Sequence, residues 1–137
     1  MTDHLAKSLG RVMLIDDDLF DRIACQRLFD RLNLADEILC LADAEAAIRC
    51  MERDAEHHTD VIFLDVNMPR MTGLEFLDAI TASTKVQFSG AVVVMLSTDL
   101  TSKLQMRFDE ISCVKAYIRK PMTTEELIAT ATTVAAT

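Results

Sequence analysis

Short apolar runs alternate with longer amphipathic stretches along the whole chain. Five of the runs have the length and the aliphatic content of buried strands: RVMLI (11–15), EILCL (37–41), VIFLD (61–65), AVVVML (91–96) and KAYI (115–118). Between the runs, apolar residues recur at helical spacing. The first such stripe consists of Phe20, Ile23, Ala24, Leu28 and Leu32, which we expect to form the buried face of the first helix. The pattern predicts alternating strands and helices.

Residues that commonly cap helices precede the amphipathic stretches. Asp18 and Asp43 are predicted N-caps, and Thr72 and Thr123 each have a glutamate three residues later, which is the spacing of a capping box. The last three of five helices are predicted over 73–82, 101–111 and 123–135. Strands that are apolar on both faces, with a helix in every connection, predict a parallel sheet covered on both sides. The expected fold class is therefore α/β, a doubly wound domain.

Length and charge narrow the range of functions. The 137 residues fit one domain, with a core over about 11–136 and a flexible N-terminus over 1–10. With 22 acidic and 14 basic residues, the net charge is -8, which disfavours direct binding to nucleic acid or to anionic lipid. No apolar run approaches the roughly 20 residues of a membrane helix, and the N-terminus lacks a signal-peptide core. A cytoplasmic protein with four reduced cysteines is expected.

Polar residues follow the predicted strands at their carboxyl ends. They are Asp16 and Asp17 after the first strand, Asp65 at the end of the third, Ser97 after the fourth and Lys120 after the fifth. In doubly wound folds these ends meet at one edge, where ligands bind. Carboxylates gathered there repel one another, and one lysine does not offset three of them. Oxygen ligands without histidine or cysteine favour a hard divalent cation, Mg²⁺ first and Mn²⁺ as an alternative. A carboxylate beside such an ion can accept a phosphoryl group.

Four sequence motifs point to a known family. The segments LIDDD, VIFLDVNMPRMTGLEFL, VVVMLST and AYIRKP resemble, in order and in spacing, the motifs of the receiver domain of two-component response regulators. The resemblance covers nearly the whole chain, from about Arg11 to the final helix. It implies a flavodoxin-like (βα)5 fold with the strand order 2-1-3-4-5. Because the chain ends soon after the fifth predicted helix, a single, stand-alone receiver domain over 1–137 is expected.

The resemblance also implies a role for each residue at the predicted edge. Asp65 would accept a phosphoryl group from a phosphohistidine on a sensor histidine kinase or a histidine phosphotransfer protein. Asp16, Asp17, Asp65 and the main-chain carbonyl of Asn67 would bind Mg²⁺. Ser97 and Lys120 would contact the phosphoryl oxygens, and the Lys120–Pro121 peptide bond would be cis.

The expected function is a phosphorylation-dependent switch of protein–protein interactions. By the same resemblance, Ser97 and Tyr117 form the switch that passes the phosphorylated state to a downstream protein target. The only chemistry expected is self-catalysed phosphoryl transfer and autodephosphorylation, so the protein is not predicted to be an enzyme. One alternative is a phosphorelay intermediate that passes the phosphoryl group on.

Two further function classes are weighed against the receiver. A haloacid-dehalogenase-like phosphatase would use the first-strand aspartates as nucleophile and acid, but Leu19 and Phe20 stand where that family has small β-branched residues. A flavodoxin-like cofactor binder needs a phosphate-binding loop after the first strand, and an acidic loop repels phosphate. Both are disfavoured.

Overall fold

A computed structural model of the protein describes residues 8–53 and 58–136. It contains five strands: β1 (Arg11–Ile15), β2 (Glu37–Leu41), β3 (Val61–Asp65), β4 (Ala91–Leu96) and β5 (Val114–Arg119). A helix follows each strand: α1 (Leu19–Leu32), α2 (Ala44–Arg53), α3 (Gly73–Ala82), α4 (Ser102–Asp109) and α5 (Thr124–Ala135). The first four strands have the bounds predicted from the sequence, and the fifth is longer by one residue at each end.

The strands form one parallel sheet in the order β2-β1-β3-β4-β5, as predicted. Apolar side chains cover both of its faces. On one face α1 and α5 bury the cluster that includes Phe29, Phe63 and Leu127. On the other, α2, α3 and α4 bury the cluster that includes Phe76 and Phe108. Strands β1, β3 and β4 are buried on both sides, and the first exposed residues after their carboxyl ends are Asp17, Asn67 and Ser97.

Side-chain caps fix where the helices begin. The Thr72 hydroxyl accepts from the Glu75 amide at 3.2 Å, and the Glu75 carboxylate accepts from the Thr72 amide at 2.9 Å. Thr123 and Glu126 form the same reciprocal pair before α5. Asp18 caps α1, accepting from the Asp21 amide at 3.1 Å. These caps match the sequence predictions because each depends on a spacing of three residues.

The predicted buried stripe of α1 was wrong in its first turns. Phe20 is 81% exposed and Ile23 is 39% exposed. The residues of α1 that are buried are Cys25, Leu28 and Phe29. The Phe29 ring packs edge-on against Phe63 of β3, with the ring centroids 5.1 Å apart. Two contacts of its first turn, Arg22 with the Asp16 carbonyl and Asp21 with Lys120, fix the orientation of the helix.

The N-terminal segment that was expected to be flexible falls largely on residues 1–7, which lie outside the described residues. Of its last residues, Leu9 is buried and its amide donates to the Leu34 carbonyl at 2.6 Å. The Gly10 carbonyl accepts from the Asp36 amide at 2.9 Å. Residues just before β1 are therefore joined to the α1–β2 connection.

None of the helices within the described ranges is both long and apolar enough to cross a membrane.

The four cysteines are free, and Cys25 of α1 is buried in the core cluster that includes Phe29 and Phe63. Burial, with the nearby Asp16 charge, raises the pKa of the Cys25 thiol to about 12, so this thiol stays protonated.

Candidate functional site

Three carboxylates lie together at the carboxyl edge of the sheet. Asp16 and Asp17 directly follow β1, and Asp65 is the last residue of β3, the neighbouring strand. One carboxylate oxygen from each lies within 4.8 Å of the others. Asp16 and Asp65 are buried, with 0% and 4% of their surface exposed, whereas Asp17 is exposed. The arrangement is an acidic cluster with a buried floor and an open side.

Asp16 is fixed from three directions. Its amide donates to the Leu41 carbonyl at 3.1 Å, at the end of β2. Its carboxylate oxygen Oδ1 accepts from the Asp18 amide at 3.0 Å, and its carbonyl accepts from Arg22 Nη1 of α1 at 2.8 Å. Buried backbone groups and a buried carboxylate require such bonds because water is not there to satisfy them. These contacts also set the first turn of α1 against the sheet.

Lys120 brings a positive charge to the acidic cluster. It follows β5, its peptide bond to Pro121 is cis, and its amide donates to the Leu96 carbonyl at 2.8 Å. Its ammonium nitrogen lies 2.9 Å from Asp16 Oδ2, 2.9 Å from Asp21 Oδ2 and 3.4 Å from Asp65 Oδ1. The side chain is 10% exposed. The cluster is thus paired with one largely buried ammonium.

The charges at this site do not balance. Burial, and next the charge of Asp16, raise the pKa of Asp65 to about 7, although Lys120 acts in the opposite direction. For Lys120, burial disfavours the ammonium, but hydrogen bonds to Asp21 and Asp16 and the charges of Asp65 and Asp16 outweigh it and raise its pKa. One ammonium therefore leaves negative charge uncompensated among three carboxylates. Clustered oxygen ligands of this kind suit a hard divalent cation such as Mg²⁺, so the acidic cluster is a group that can hold a metal ion.

The loop after β3 closes tightly on Asp65. The Gly73 amide donates to the Val66 carbonyl at 3.0 Å. A Cβ atom at Gly73 would lie 2.7 Å from the Asp65 carbonyl oxygen, so only glycine allows this approach. Asn67 lies in this loop with an exposed side chain. Arg70 has a left-handed φ of 68°. Its guanidinium contacts Asp43, just before α2, and Glu45, in the first turn of α2, and these contacts join the loop to that helix.

Ser97 and Tyr117 belong to the neighbouring strands β4 and β5: Ser97 directly follows β4, and Tyr117 lies in β5. Ser97 is the first residue after β4 and is exposed; Asp65 pairs in register with Met95, two positions earlier. Tyr117 of β5 donates its hydroxyl to Asp109 Oδ1 at 2.6 Å. Its ring packs edge-on against Phe108 of α4, with centroids 6.4 Å apart. Tyr117 is therefore attached to the last turn of α4.

Sequence reasoning missed Asp109 as well as Asp21. Gln105, one turn earlier on α4, also donates to the Asp109 carboxylate, at 3.2 Å. The i to i+4 spacing of Gln105 and Asp109 was a readable signal, but nothing local indicates a bond to a strand residue. Asp21 offers no local signal either, because its partner Lys120 is 99 positions away.

The contact between Tyr117 and Asp109 should affect the pKa of Tyr117, which spectroscopy can measure. Burial, and then the hydrogen bond and charge of Asp109, raise the pKa of Tyr117 above its ordinary value of 10.0. An Asp109→Asn variant is expected to bring this pKa back toward the ordinary value. Since the chain has one tyrosine, phenolate absorbance during an alkaline titration reports Tyr117 alone. The folded protein holds the phenol proton more tightly than the unfolded chain does. The protonated phenol therefore contributes to the free energy of unfolding below pH 10, and this contribution is lost at higher pH.

Glu110→Gln is the matched control, because it removes a neighbouring exposed carboxylate that does not contact the phenol. It should leave the Tyr117 titration unchanged. Identical titrations of Asp109→Asn and the parent protein would contradict the contact.

Comparison with known proteins identifies the family. The family model of the response regulator receiver domain matches residues 12–132, which include the acidic cluster, Ser97 and Lys120. The chain belongs to this family. The match confirms the resemblance drawn from the four motifs, and the protein is a receiver domain of two-component signalling.

Two curated relatives are similar to the chain over most of its length. The chain is 33% identical over 126 residues to protein-glutamate methylesterase/protein-glutamine glutaminase 3 of Burkholderia thailandensis, covering 88% of this chain and 32% of that protein. It is 29% identical over 120 residues to the sensory/regulatory protein RpfC of Xanthomonas campestris pv. campestris, covering 88% of this chain and 16% of that protein. The chain thus spans about a third and about a sixth of these two relatives.

A crystal structure of a two component response regulator from Cytophaga hutchinsonii superposes with a TM-score of 0.81 at 23% identity, covering 96% of this chain and all of that one. At this identity the likeness shows the fold alone. Receiver domains interact with histidine kinases and with downstream effectors. The enzymatic name of the Burkholderia relative is that of a whole protein of which this receiver matches one third.

Proposed function

We propose that this receiver domain accepts a phosphoryl group on Asp65 in a reaction that requires Mg²⁺. The phosphohistidine of a sensor histidine kinase or of a histidine phosphotransfer protein would be the donor. The observation that supports this most strongly is the buried carboxylate of Asp65, with Asp16, Asp17 and the Lys120 ammonium within a few ångströms. Asp17 and the open side of the acidic cluster leave Asp65 within reach of a donor.

Each residue has a part in the proposed transfer. An Asp65 oxygen attacks the phosphorus, the phosphorus–nitrogen bond breaks, and its electron pair returns to the imidazole. Lys120 offsets negative charge on one phosphoryl oxygen, and the Ser97 hydroxyl donates to another. Such transfer depends on alignment and on charge stabilisation by groups already in place. The ammonium at 3.4 Å from Asp65 Oδ1 is already near the position it needs.

The proposed ligands of the metal ion are the carboxylates of Asp16, Asp17 and Asp65 and the main-chain carbonyl of Asn67. When bound, Mg²⁺ supplies positive charge against the phosphoryl oxygens. The chain positions these ligands through the contacts around Asp16 and through the close approach of Gly73 to the Asp65 carbonyl. Mn²⁺ has the same preference for oxygen ligands and is a proposed substitute.

Phosphorylation is proposed to act as a switch. Ser97 moves toward the phosphoryl group, and Tyr117 exchanges its contact with Asp109 for an inward position, which changes the α4–β5 surface seen by a downstream protein. The switch shifts a pre-existing equilibrium between two conformations. Self-catalysed autodephosphorylation would reset it, and onward transfer of the phosphoryl group in a relay is the alternative output. We propose a single receiver domain over 1–137, with its core over about 11–136, and, from four free cysteines, a cytoplasmic location.

A small phosphodonor tests the proposal. Incubation with acetyl phosphate and Mg²⁺ should add one phosphoryl group per chain, seen in the intact mass, and omission of divalent ions should reduce uptake by roughly 100-fold. No uptake with Mg²⁺ present would contradict the proposal. Release of many phosphates per chain from phosphate esters would instead favour a phosphatase.

A further inference from the structure

One carboxylate outside the acidic cluster shares the Lys120 ammonium. Asp21 lies in the first turn of α1, and its Oδ2 atom is 2.9 Å from the ammonium nitrogen. This equals the distance to Asp16 Oδ2 and is shorter than the 3.4 Å to Asp65 Oδ1. Lys120 therefore makes its shorter contacts with Asp16 and Asp21, and its contact with the proposed phosphoacceptor is the longest of the three.

The Asp21 side chain is not needed to cap the N-terminus of α1. Asp18 is the N-cap and already accepts from the Asp21 amide at 3.1 Å. The Asp21 side chain is 38% exposed, while the lysine it contacts is 10% exposed. Attraction to a largely buried ammonium is screened less than attraction between two surface charges. The contact therefore restrains Lys120 more than an ordinary surface ion pair would.

An ammonium has three N–H donors. A phosphoryl group on Asp65 would bring further oxygens to the side of Lys120 where the contact is longest. Each donor that Asp21 retains is then unavailable to those oxygens, and the Asp21 charge adds to the repulsion they meet. From this geometry we propose that Asp21 is a positioning residue that acts through Lys120 and opposes the phosphorylated state. The inference rests on the proposed function of Asp65.

The test compares Asp21→Asn with the parent protein at saturating Mg²⁺. Beryllofluoride serves as a stable mimic of the phosphoryl group, and its affinity is measured by ¹⁹F NMR. We expect Asp21→Asn to bind beryllofluoride on the order of fivefold more tightly, because one charged hydrogen-bond competitor is gone. The half-life of the phosphorylated form, followed on phosphate-affinity gels after removal of acetyl phosphate, should lengthen in the same variant.

Two further variants separate positioning from fold stability. Asp21→Glu keeps the charge on a side chain one methylene longer and should bind beryllofluoride with the affinity of the parent. Asp30→Asn removes one charge from the exposed face of the same helix and should leave the affinity unchanged. A purely structural role of Asp21 predicts looser binding together with a lower melting temperature. Asp21→Ser, with a shorter neutral side chain, replaces Asp21→Asn if the latter does not fold.

The outcomes are distinguishable. Parent and Asp30→Asn proteins that bind beryllofluoride, with unchanged or weaker binding in Asp21→Asn, would overturn the role of Asp21 and leave the proposed function standing. No binding by the parent protein at saturating Mg²⁺ would overturn the proposed function and the inference together. Tighter binding in Asp21→Asn that Asp21→Glu reverses supports both.

Discussion

An Asp65→Asn variant is expected to take up no phosphoryl group from acetyl phosphate and, in buffer without divalent ions, to be more stable than the parent at pH 8. The amide oxygen is too weak a nucleophile to replace the carboxylate, so uptake should be abolished. The gain in stability has a separate cause. Burial and the Asp16 charge raise the pKa of Asp65 to about 7, so an ionised carboxylate at this position is unfavourable, and a neutral amide of similar shape removes that cost.

The sign of the pH dependence follows from the raised pKa. The folded protein binds the Asp65 proton more tightly than the unfolded chain, whose aspartates have a pKa near 3.8. The protonated carboxyl therefore contributes stability at acid pH that is lost as the pH rises through about 7. Asp65→Asn should exceed the parent in free energy of unfolding by roughly 2 kcal/mol at pH 8, and the difference should shrink toward pH 5. Urea unfolding at several pH values measures it.

Asp18→Asn is the matched control for this prediction. It makes the same chemical change two residues beyond Asp16, and asparagine caps helices about as well as aspartate. Phosphoryl uptake and stability should both stay close to those of the parent. If Asp65→Asn still took up a phosphoryl group, or lost stability at pH 8, Asp65 would not have the assigned place in the site.

A Lys120→Met variant should have the second large effect, because it is expected to lower both the rate of phosphoryl uptake and the stability of the fold. Loss of the ammonium removes the positive group nearest to Asp65 Oδ1, at 3.4 Å, and is expected to slow phosphoryl uptake by roughly 100-fold. It also leaves Asp16 and Asp65 without their shared cation. The free energy of unfolding at pH 8 without divalent ions should fall by about 3 kcal/mol.

The loss of stability in Lys120→Met should diminish at lower pH, where Asp65 takes up a proton, and on addition of Mg²⁺, which replaces the missing positive charge. Lys115→Met removes an exposed lysine from β5, the strand that Lys120 follows, and serves as the control, with uptake and stability near those of the parent. An uptake rate in Lys120→Met equal to that of Lys115→Met would show that the ammonium is not part of the transfer.

The fold and the acidic cluster were predictable because they depend on local pattern. Each strand is a short apolar run, and the carboxyl ends of parallel strands meet at one edge whatever the loops between them. The order of strands and polar residues along the chain was therefore enough to place Asp16, Asp17 and Asp65 together. The caps at Thr72 and Thr123 followed from a spacing of three residues for the same reason.

What the sequence could not predict is the set of contacts between distant segments. The buried face of α1 was predicted through Phe20 and Ile23, yet both are exposed. The helix is oriented by Arg22 on the Asp16 carbonyl and by Asp21 on Lys120, which leave no periodic trace in the sequence. The bond between Tyr117 and Asp109 is of the same kind, since it depends on how α4 packs on β5.

The most direct test of the central proposal is to locate the phosphorylated residue. After incubation with acetyl phosphate and Mg²⁺, borohydride reduces an aspartyl phosphate to homoserine, and peptide mass spectrometry then identifies the position. We predict homoserine at position 65, in proportion to the phosphoryl uptake of the intact protein, and none in Asp65→Asn. Homoserine at position 16 or 17, or uptake that borohydride does not convert, would contradict the assignment of Asp65 as the phosphoacceptor.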